Sequence, residues 1–449
     1  QSILIAYQNS PVFQEKAAQA IFGAIDIKGK LPVTIHKYIP VNSAIKLKKK
    51  KILRFKHHLN EGFSSQKLKK VDSIVDFAIK NKMTPGVQLL IAKNGSVIYN
   101  KSYGHHTYNK KISVKNEDIY DLASITKILV TVPLIIREIE LKSLNLETSL
   151  SSLFPKTNLF EKKNLKLKEM LSHYSKLTPW IPFYKETLDS ITNEQLDKYY
   201  SNKQTRDFGI EVREGLFMQL WNDRIFDKII ESKLLELKEY KYSDIPYYLL
   251  KKYLEDKYDK SLEKLIQDYI FSKNGMLSLN FNPYKTFDQN KIVPSEIDDY
   301  FRLGELRGYV HDMGAAMQGG IGGHAGLFGN SLDVAKMMQL YIQKGYYGDE
   351  KFFGEKIFDE FNKCHFCDEG VRRGIGFDKP ELYDKENLSC ECLSKDSFGH
   401  SGFTGTYAWA DPENQIIYVF LSNRTYPTME NRKLIDYNIR TEIKKIIFE

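Results

Sequence analysis

The chain has 449 residues, enough for about two or three domains and a large buried core. Hydrophobic residues make up 42% and aromatic residues 13%, a composition that excludes a disordered protein. The net charge of +9 is the balance of 66 basic and 57 acidic residues, so the excess is diluted along the chain. The sequence has no zinc finger, recognition-helix pattern or aromatic-basic RNA motif, so we expect no nucleic acid as a partner. It also has no apolar run of membrane-spanning length.

The first forty residues predict one strand–helix–strand unit, with an extended run at 3–7, a helix at 13–22 and a second strand at 31–35. Such a unit is too short to fold alone. The run Ile-Ala-Tyr-Gln at 5–8, the alanine-rich helix and Gly-Lys-Leu-Pro-Val at 29–33 resemble the end of the C-terminal α/β domain of family 3 glycoside hydrolases. The resemblance implies that residues 1–40 are the C-terminal fragment of a β-N-acetylglucosaminidase part of a longer parent protein. The catalytic residues of that glycosidase would lie outside this chain.

Residues 41–62 read as a linker, because they are polar and charged with few apolar anchors. A second domain is predicted from 63 to 449. It opens with apolar residues at helical spacing between 68 and 79, followed by two strands at 87–92 and 96–103. Asn94-Gly95 between the strands is a hairpin signal, since both turn positions tolerate a positive φ.

The segment Ser124-Ile-Thr-Lys127 opens an apolar helix, in which Pro133 is expected to produce a kink. Residues three apart share one helix face, so the Ser124 hydroxyl and the Lys127 amine are predicted to lie side by side. A lysine whose pKa is lowered by burial or by other cations can take the proton of a serine nucleophile. The helix N-terminus would favour the negative charge that develops. A capped helix with a solvated lysine is the more common explanation of a single match.

Residues 184–294 predict an all-helical region, part of a helical subdomain at about 140–300. Within it, Tyr242 is followed two residues later by the short polar side chain of Asp244. One interpretation places the Tyr242 phenol at an active site. In the other, the tyrosine packs in a turn and Asp244 caps the helix that begins at Ile245-Pro246. Both can hold, since a cap would fix the loop that aims Tyr242.

His400-Ser401-Gly402 precedes two strands at 407–410 and 416–421 that are joined by a turn. A basic residue at 400 can bind a carboxylate or polarise a tyrosine, and the small Ser401 and Gly402 let a substrate lie along the strand edge. The backbone N–H of Phe403 would then pair with that of Ser124 as an oxyanion hole. A glycine-rich hairpin with a surface histidine is the alternative.

Together, these three segments resemble the ordered motifs of the serine β-lactamase and penicillin-binding-protein superfamily, in particular its Tyr-Ser-Asp and His-Ser/Thr-Gly esterases and amidases. The resemblance implies an α+β, β-lactamase/transpeptidase-like fold, with an antiparallel sheet flanked by helices and an all-helical subdomain. It assigns catalysis to Ser124, Lys127 and Tyr242, with no metal or cofactor, and leaves open whether Lys127 or Tyr242 is the base. Substrate-binding and oxyanion roles fall to a second set: Asp244, which stands where asparagine is usual, and His400, Ser401, Gly402 and Phe403.

Several other patterns receive structural interpretations. We expect His173, His311 and His324 to be packed, hydrogen-bonded histidines. The glycine-rich segment 319–328 lacks the Gly-Lys-Ser/Thr of a phosphate loop, so we interpret it as a tight turn that enters a helix at 332–342. A last helix at 434–447 is expected to cover the sheet beside the first. The four cysteines can be disulfides, zinc ligands or free thiols: Cys364, Cys367, Cys390 and Cys392.

The resemblance implies a serine hydrolase that forms an acyl-enzyme on a peptidoglycan fragment or a small acyl substrate. Its combination with the glycosidase-like segment favours an N-acetylmuramoyl-L-alanine amidase in the periplasm or otherwise outside the cytoplasm. A D,D-carboxypeptidase or a carboxylesterase is the alternative among enzymes, and a non-catalytic wall-binding module is the alternative outside them. No deacylating glutamate can be placed, so we do not expect an efficient β-lactamase.

Overall fold

The computed structural model describes residues 3–380 and 393–449. Its centre is a six-stranded sheet in which the hairpin near the start of the domain lies beside the hairpin near its end. All neighbours pair antiparallel except the first two strands in the spatial order. Across the sheet the strands are Arg54–Phe55, Ser96–Gly104, Gly86–Lys93, Ile416–Ser422, Tyr407–Asp411 and Phe398–Ser401.

The hairpin predicted at Asn94-Gly95 is confirmed. Strand Gly86–Lys93 turns into Ser96–Gly104, and both turn residues have positive φ, 52° for Asn94 and 69° for Gly95. Such angles match the twist of the flanking strands, which is why this dipeptide closes tight hairpins.

The described ranges contain eight α-helices of eight or more residues. They are Pro11–Ile21, Ser65–Lys80, Val132–Glu140, Asn222–Glu231, Ile245–Tyr258, Ser331–Ile342, Glu355–Asn362 and Ile439–Phe448. Shorter helices lie at Leu150–Leu153, Leu167–Leu171, Leu262–Ile266, Met313–Met317 and Lys433–Asp436.

Each face of the sheet carries its own apolar core. On one face, helices Ser65–Lys80 and Ile439–Phe448 pack together, as expected for the first and last helices. Val71 and Val75 recur at helical spacing there and are fully buried. Helices Val132–Glu140 and Ser331–Ile342 belong to the larger core on the other face. This larger core supports the site described below.

The region predicted to be all-helical also contains strands, so that prediction was incomplete. Tyr200–Ser201, Leu216–Met218 and Ile210–Arg213 form a small antiparallel sheet. Its tight turn passes through Gly215, whose φ is 69°. Further short strands lie at Tyr120–Asp121, Asn280–Phe281, Leu327–Gly329, Glu296–Asp298, Gly304–Leu306, Tyr346–Tyr347 and Glu350–Lys351.

The N-terminal unit folds only in part as expected. Helix Pro11–Ile21 is present, but neither residues 3–7 nor 31–35 form a strand within the described chain. Ile3 and Ile5 remain exposed, at 81% and 44%. An extended run becomes a strand only when a neighbouring strand forms hydrogen bonds with its backbone, and the described residues offer no such neighbour there. The division into residues 1–40, 41–62 and 63–449 stays a prediction.

Cys364 and Cys367 form a disulfide just after helix Glu355–Asn362. This agrees with the disulfide alternative for the first cysteine pair, whereas Cys390 and Cys392 lie outside the described residues. No helix in the described ranges is both long and apolar enough to cross a bilayer. Within those ranges, His, Cys, Asp and Glu also do not gather in a group of three or more suited to a metal ion.

Candidate active site

Ser124 follows a backbone turn whose conformation is rare for residues other than glycine. The preceding residue, Ala123, has a φ of 45°, in the left-handed region. The buried carboxylate of Asp121 holds this turn by accepting from the N–H of Ala123 at 2.8 Å and from the N–H of His311 at 2.7 Å. The strained turn therefore presents Ser124 at the start of the following helix.

Lys127 is fully buried, and its amine has three oxygen partners. The Nζ atom donates to Ser124 Oγ at 2.9 Å and to the carbonyl of His324 at 3.0 Å. The third partner is Asp244, whose Oδ1 lies 2.7 Å from Nζ in an ion pair. The structure thus places the amine beside the serine hydroxyl, with a carboxylate on its other side.

The pKa of Lys127 shifts in the direction opposite to that expected. Burial acts to lower it, but the charge of Asp244 and the nearby Tyr242 outweigh burial and raise it above its usual value. The expectation was that burial or other cations would lower this pKa, and the charge of Asp244 was not considered. A carboxylate in that place favours the ammonium form. Lys127 is therefore charged in the resting site.

The helix that carries Lys127 begins irregularly. A π-helical turn at Lys127–Thr131 precedes the regular helix Val132–Glu140, and Pro133 lies in the first turn of that helix. Proline lacks an N–H, so a break in the hydrogen-bond pattern here is in line with the predicted kink. Thr131 donates to the carbonyl of Gly323 at 2.6 Å. This bond holds the helix against the glycine-rich turn whose His324 carbonyl binds Lys127.

The Tyr242 ring is enclosed by two histidine rings and the ammonium of Lys127. Its centroid lies 4.6 Å from the ring of His173, 5.9 Å from that of His400 and 5.3 Å from Lys127 Nζ. Burial raises the pKa of Tyr242, while Lys127 and the Ser124 hydroxyl act to lower it; the net shift is upward. The phenol is therefore neutral at rest and faces both the nucleophile and the ammonium.

Asp244 does not cap the following helix with its side chain, contrary to one interpretation of the sequence. Helix Ile245–Tyr258 begins after it, but the carboxylate makes no capping bond. Instead the Ser243 hydroxyl accepts from the N–H of Ile245 at 3.2 Å. The reason is the buried ammonium of Lys127, which attracts the carboxylate more strongly than neutral N–H groups do.

His173 fixes the loop that carries Tyr242. Its Nδ1 accepts from the N–H of Ser243 at 3.1 Å, and the ring is buried against Tyr242. The Ser243 hydroxyl donates to the carbonyl of Thr178 at 2.6 Å. His173 is thus a packed, hydrogen-bonded histidine, as expected.

The other two histidines are also held by protein groups. His324 lies 2.8 Å from a carboxylate oxygen of Asp312 and stacks on Tyr248 at 4.1 Å. His311 Nε2 lies 3.1 Å from Glu296 Oε2. Both side chains are buried, in agreement with the packing roles expected for them.

His400 is not the cation that a basic residue at this position suggests. Burial, with the charges of Arg373 and Lys127, lowers its pKa well below the usual value. Its Nδ1 is 2.7 Å from the carbonyl of Ser401, which can only accept, so Nδ1 carries the proton. The neutral ring therefore offers Nε2 as an acceptor, and a neutral histidine cannot pair with a carboxylate as a lysine would.

The strand Phe398–Ser401 and the turn after it are bonded directly to the segment before Ser124. Thr404 Oγ1 donates to the carbonyl of Asp121 at 2.8 Å, and Thr406 Oγ1 to that of Leu122 at 3.1 Å. Gly402 is needed for this approach, because a Cβ there would lie 2.0 Å from Thr406 Oγ1. Two distant parts of the chain are joined in this way.

The backbone N–H groups of Ser124 and Phe403 have no acceptor among the described residues. Ser401, the last residue of strand Phe398–Ser401, is exposed. Two free N–H groups on joined segments, one of them on the serine itself, can receive the oxygen of a substrate carbonyl. The turn that carries Phe403 would supply one wall of such an oxyanion hole.

Arg373 also lies beside the site, although the motifs in the sequence do not predict it. Its buried guanidinium lies 5.4 Å from the Tyr242 ring, and its Nε donates to the Tyr240 hydroxyl at 3.2 Å. It reaches this place because its segment pairs with Asp378, which in turn pairs with Gly399 next to His400. No local sequence pattern marks Arg373, since its role depends on contacts with distant segments.

The site therefore combines a serine hydroxyl, a buried ammonium, an enclosed phenol and two free backbone donors. A hydroxyl with a proton-transfer group beside it can attack a carbonyl, and the donors can stabilise the resulting oxyanion. These groups together can carry out acyl transfer through a covalent intermediate.

The chain is similar in sequence to known proteins of one family. The family model described as Beta-lactamase matches residues 71–441. A curated relative from Salmonella paratyphi A, named putative D-alanyl-D-alanine carboxypeptidase, is 26% identical over 398 residues, covering 83% of this chain and 86% of its own.

Solved structures with the same fold share little sequence with this chain. EstCE1, described as a hydrolase with promiscuous acyltransferase activity, has a TM-score of 0.62 at 18% identity and covers 85% of this chain and 98% of its own. A penicillin-binding protein homologue from Pyrococcus abyssi has a TM-score of 0.58 at 20% identity, with coverage of 83% and 77%. The D-amino acid amidase of Ochrobactrum anthropi has a TM-score of 0.58 at 13% identity, with coverage of 85% and 98%. The β-lactamase-like fold is thereby confirmed.

Proposed function

This chain belongs to the β-lactamase family and is a serine hydrolase; on that premise we propose that Ser124 is its nucleophile and forms an acyl-enzyme. The observation that carries this assignment is the 2.9 Å bond from Lys127 Nζ to Ser124 Oγ. The free N–H groups of Ser124 and Phe403 support it, because they are available for the oxyanion.

In the proposed mechanism, Tyr242 rather than Lys127 accepts the proton of Ser124. Lys127 is already an ammonium paired with Asp244 and has no free electron pair. In the reactive form the Tyr242 phenol has given its proton to solvent, and the adjacent ammonium stabilises the phenolate. As the serine oxygen bonds to the carbonyl carbon and the π electrons of the carbonyl move to its oxygen, the serine proton passes to the phenolate. Burial makes the phenolate form of Tyr242 rare in the resting enzyme. The protonation of Tyr242 and that of Lys127 are coupled, because the charge of each group changes the proton affinity of the other.

The second half of the reaction reverses the proton path. Tyr242 returns the proton to the leaving amine as the C–N bond breaks, which leaves the acyl group on Ser124. Water then attacks the ester carbon and gives its proton to Tyr242, and the Ser124–acyl bond breaks as Oγ regains a proton. Free acid and free enzyme result.

We propose an amide bond of a peptidoglycan fragment as the substrate, with N-acetylmuramoyl-L-alanine amidase as the specific activity. The resemblance of residues 1–40 to a glycosidase that acts on such fragments supports this choice, and it implies a glycosidase part in the same parent protein. The Cys364–Cys367 disulfide supports a location outside the cytoplasm, where disulfides persist.

D,D-carboxypeptidase activity is the second candidate, and it is favoured by the similarity to the Salmonella relatives that bear this name. The neutral His400 argues against it, because a terminal carboxylate next to the scissile bond is better held by a cation. Carboxylesterase activity on small acyl esters follows from the same acyl-enzyme chemistry.

Incubation with muropeptides, analysed by mass spectrometry, distinguishes these activities. We expect release of the whole stem peptide, with Ser124→Ala as the inactive control. Release of terminal D-alanine alone would replace the amidase assignment with the carboxypeptidase. No turnover, together with no labelling by a fluorophosphonate, would favour the non-catalytic wall-binding module.

A further inference from the structure

The side chain of Phe403 is exposed to solvent, although its residue forms part of the proposed oxyanion hole. Its backbone N–H is the proposed oxyanion donor, yet 52% of the residue surface is open to solvent. Its ring lies 4.7 Å from the guanidinium of Arg424 and 5.4 Å from the ring of His311. The ring is therefore supported by two neighbours but not covered.

The support beneath Phe403 is rigid. Arg424 is buried, and its Nη1 donates to the carbonyls of Met429 at 3.1 Å and Asn431 at 2.8 Å. Burial, with Arg440 and Arg432 nearby, lowers the pKa of Arg424 to about 10, so it is still charged at neutral pH. A buried cation fixed by backbone carbonyls holds the aromatic ring in one place before any ligand binds.

The backbone on either side of Phe403 is fixed as well. The N–H of Gly402 donates to the carbonyl of Thr406 at 2.8 Å, and the N–H of Arg424 donates to the carbonyl of Thr404 at 3.0 Å. An ordered aromatic ring binds at a smaller entropy cost than a mobile one.

A single exposed phenylalanine is ordinarily unremarkable, since folded surfaces carry many apolar atoms. The position of Phe403 is what distinguishes it. If a substrate carbonyl accepts from the Phe403 N–H, the acyl group of that carbonyl lies near the Phe403 ring. In a muramoyl substrate, that acyl group is a lactyl unit joined by an ether to a sugar ring.

We propose that Phe403 is a stacking platform for the sugar ring carried on the acyl side of the substrate. This inference rests on the proposed amidase function and extends it from the scissile bond to the sugar. One face of a pyranose presents C–H groups, which pack against an aromatic ring while the hydroxyls stay in water. The platform would make the enzyme prefer sugar-bearing substrates to free acyl-peptides.

Binding to the Ser124→Ala protein tests the platform without turnover. The ligands are N-acetylmuramoyl-L-alanyl-D-isoglutamine and the sugar-free N-acetyl-L-alanyl-D-isoglutamine, measured by calorimetry. We expect Phe403→Ala to weaken binding of the muramoyl ligand about tenfold and to leave that of the sugar-free ligand unchanged. Phe403→Tyr, which keeps an aromatic ring, should retain the binding.

Phe55→Ala is the matched control, because Phe55 is 43% exposed and lies on the opposite edge of the same sheet. It should change neither affinity. Equal weakening of both ligands by Phe403→Ala, or no weakening, would overturn the platform. The platform would also be overturned if the Ser124→Ala protein with Phe403 intact bound the two ligands equally well. If the unmodified enzyme still releases stem peptide from muropeptides, the amidase function survives that failure; if it does not, both proposals fall.

Discussion

Lys127 Nζ lies 2.7 Å from Asp244 Oδ1, and the lysine has no solvent exposure. This ion pair decides the charge of the site at rest, because it holds the pKa of Lys127 above its usual value against the effect of burial. It also takes Asp244 away from the helix end that it would otherwise cap.

Asp244→Asn should shift the alkaline limb of the pH–rate profile to lower pH. Without the carboxylate, burial dominates and the pKa of Lys127 falls, so the ammonium is lost at a lower pH than in the unmodified enzyme. The measurement is kcat/KM for a small ester from about pH 6 to about pH 12, because the raised pKa of Lys127 places the limb of the unmodified enzyme above the ordinary lysine value. Asp223→Asn, at a residue whose side chain is 91% exposed, is the control. An unmoved alkaline limb would show that Lys127 does not control it.

Ser124→Ala should lower kcat by a factor of at least about 1,000, since removal of a nucleophile leaves only binding and oxyanion stabilisation. Fluorophosphonate labelling should disappear at the same time. Ser73→Ala removes an exposed hydroxyl on helix Ser65–Lys80 and should leave both intact. Persistent turnover in Ser124→Ala would require a different nucleophile.

Arg373→Met should move the acid limb of the pH–rate profile to higher pH. The guanidinium lies 5.4 Å from the Tyr242 ring, so its loss makes the phenol harder to deprotonate. At neutral pH, kcat should fall on the order of tenfold for each unit that the limb moves. Arg372→Met changes the exposed neighbour and should leave the limb in place. A fall in activity with unchanged limbs would mean that Arg373 acts only through packing.

Stability should fall as the pH drops below about 6.5, the ordinary histidine value. Burial lowers the pKa of His400 and of His173 well below that value in the folded state. The unfolded chain then binds more protons than the folded one, so acid favours unfolding. This contribution is complete above the unfolded pKa and is lost as the pH falls below it.

His400→Gln tests this linkage, because glutamine is neutral at every pH. The loss of melting temperature between about pH 7 and pH 5 should be smaller in this variant than in the unmodified protein. His36→Gln, at an exposed histidine, should reproduce the unmodified slope. An identical slope in His400→Gln would show that folding does not change the pKa of His400.

Short-range features of this molecule were predictable from the sequence. The helix Ser65–Lys80, the Asn94-Gly95 hairpin and the strands after His400 follow from periodicity and turn chemistry, which act between residues a few positions apart. The approach of Lys127 to Ser124 is of the same kind, since it needs only one helical turn. Local patterns carry enough information for such contacts.

Only the tertiary structure decided what surrounds those residues. The carboxylate of Asp244, the guanidinium of Arg373 and the carbonyl of His324 come from distant segments. They reversed the expected pKa shift of Lys127, and burial beside Lys127 and Arg373 left His400 neutral. A side chain's charge depends on the sum of nearby charges and on its distance from water, and both are fixed only when the chain has folded.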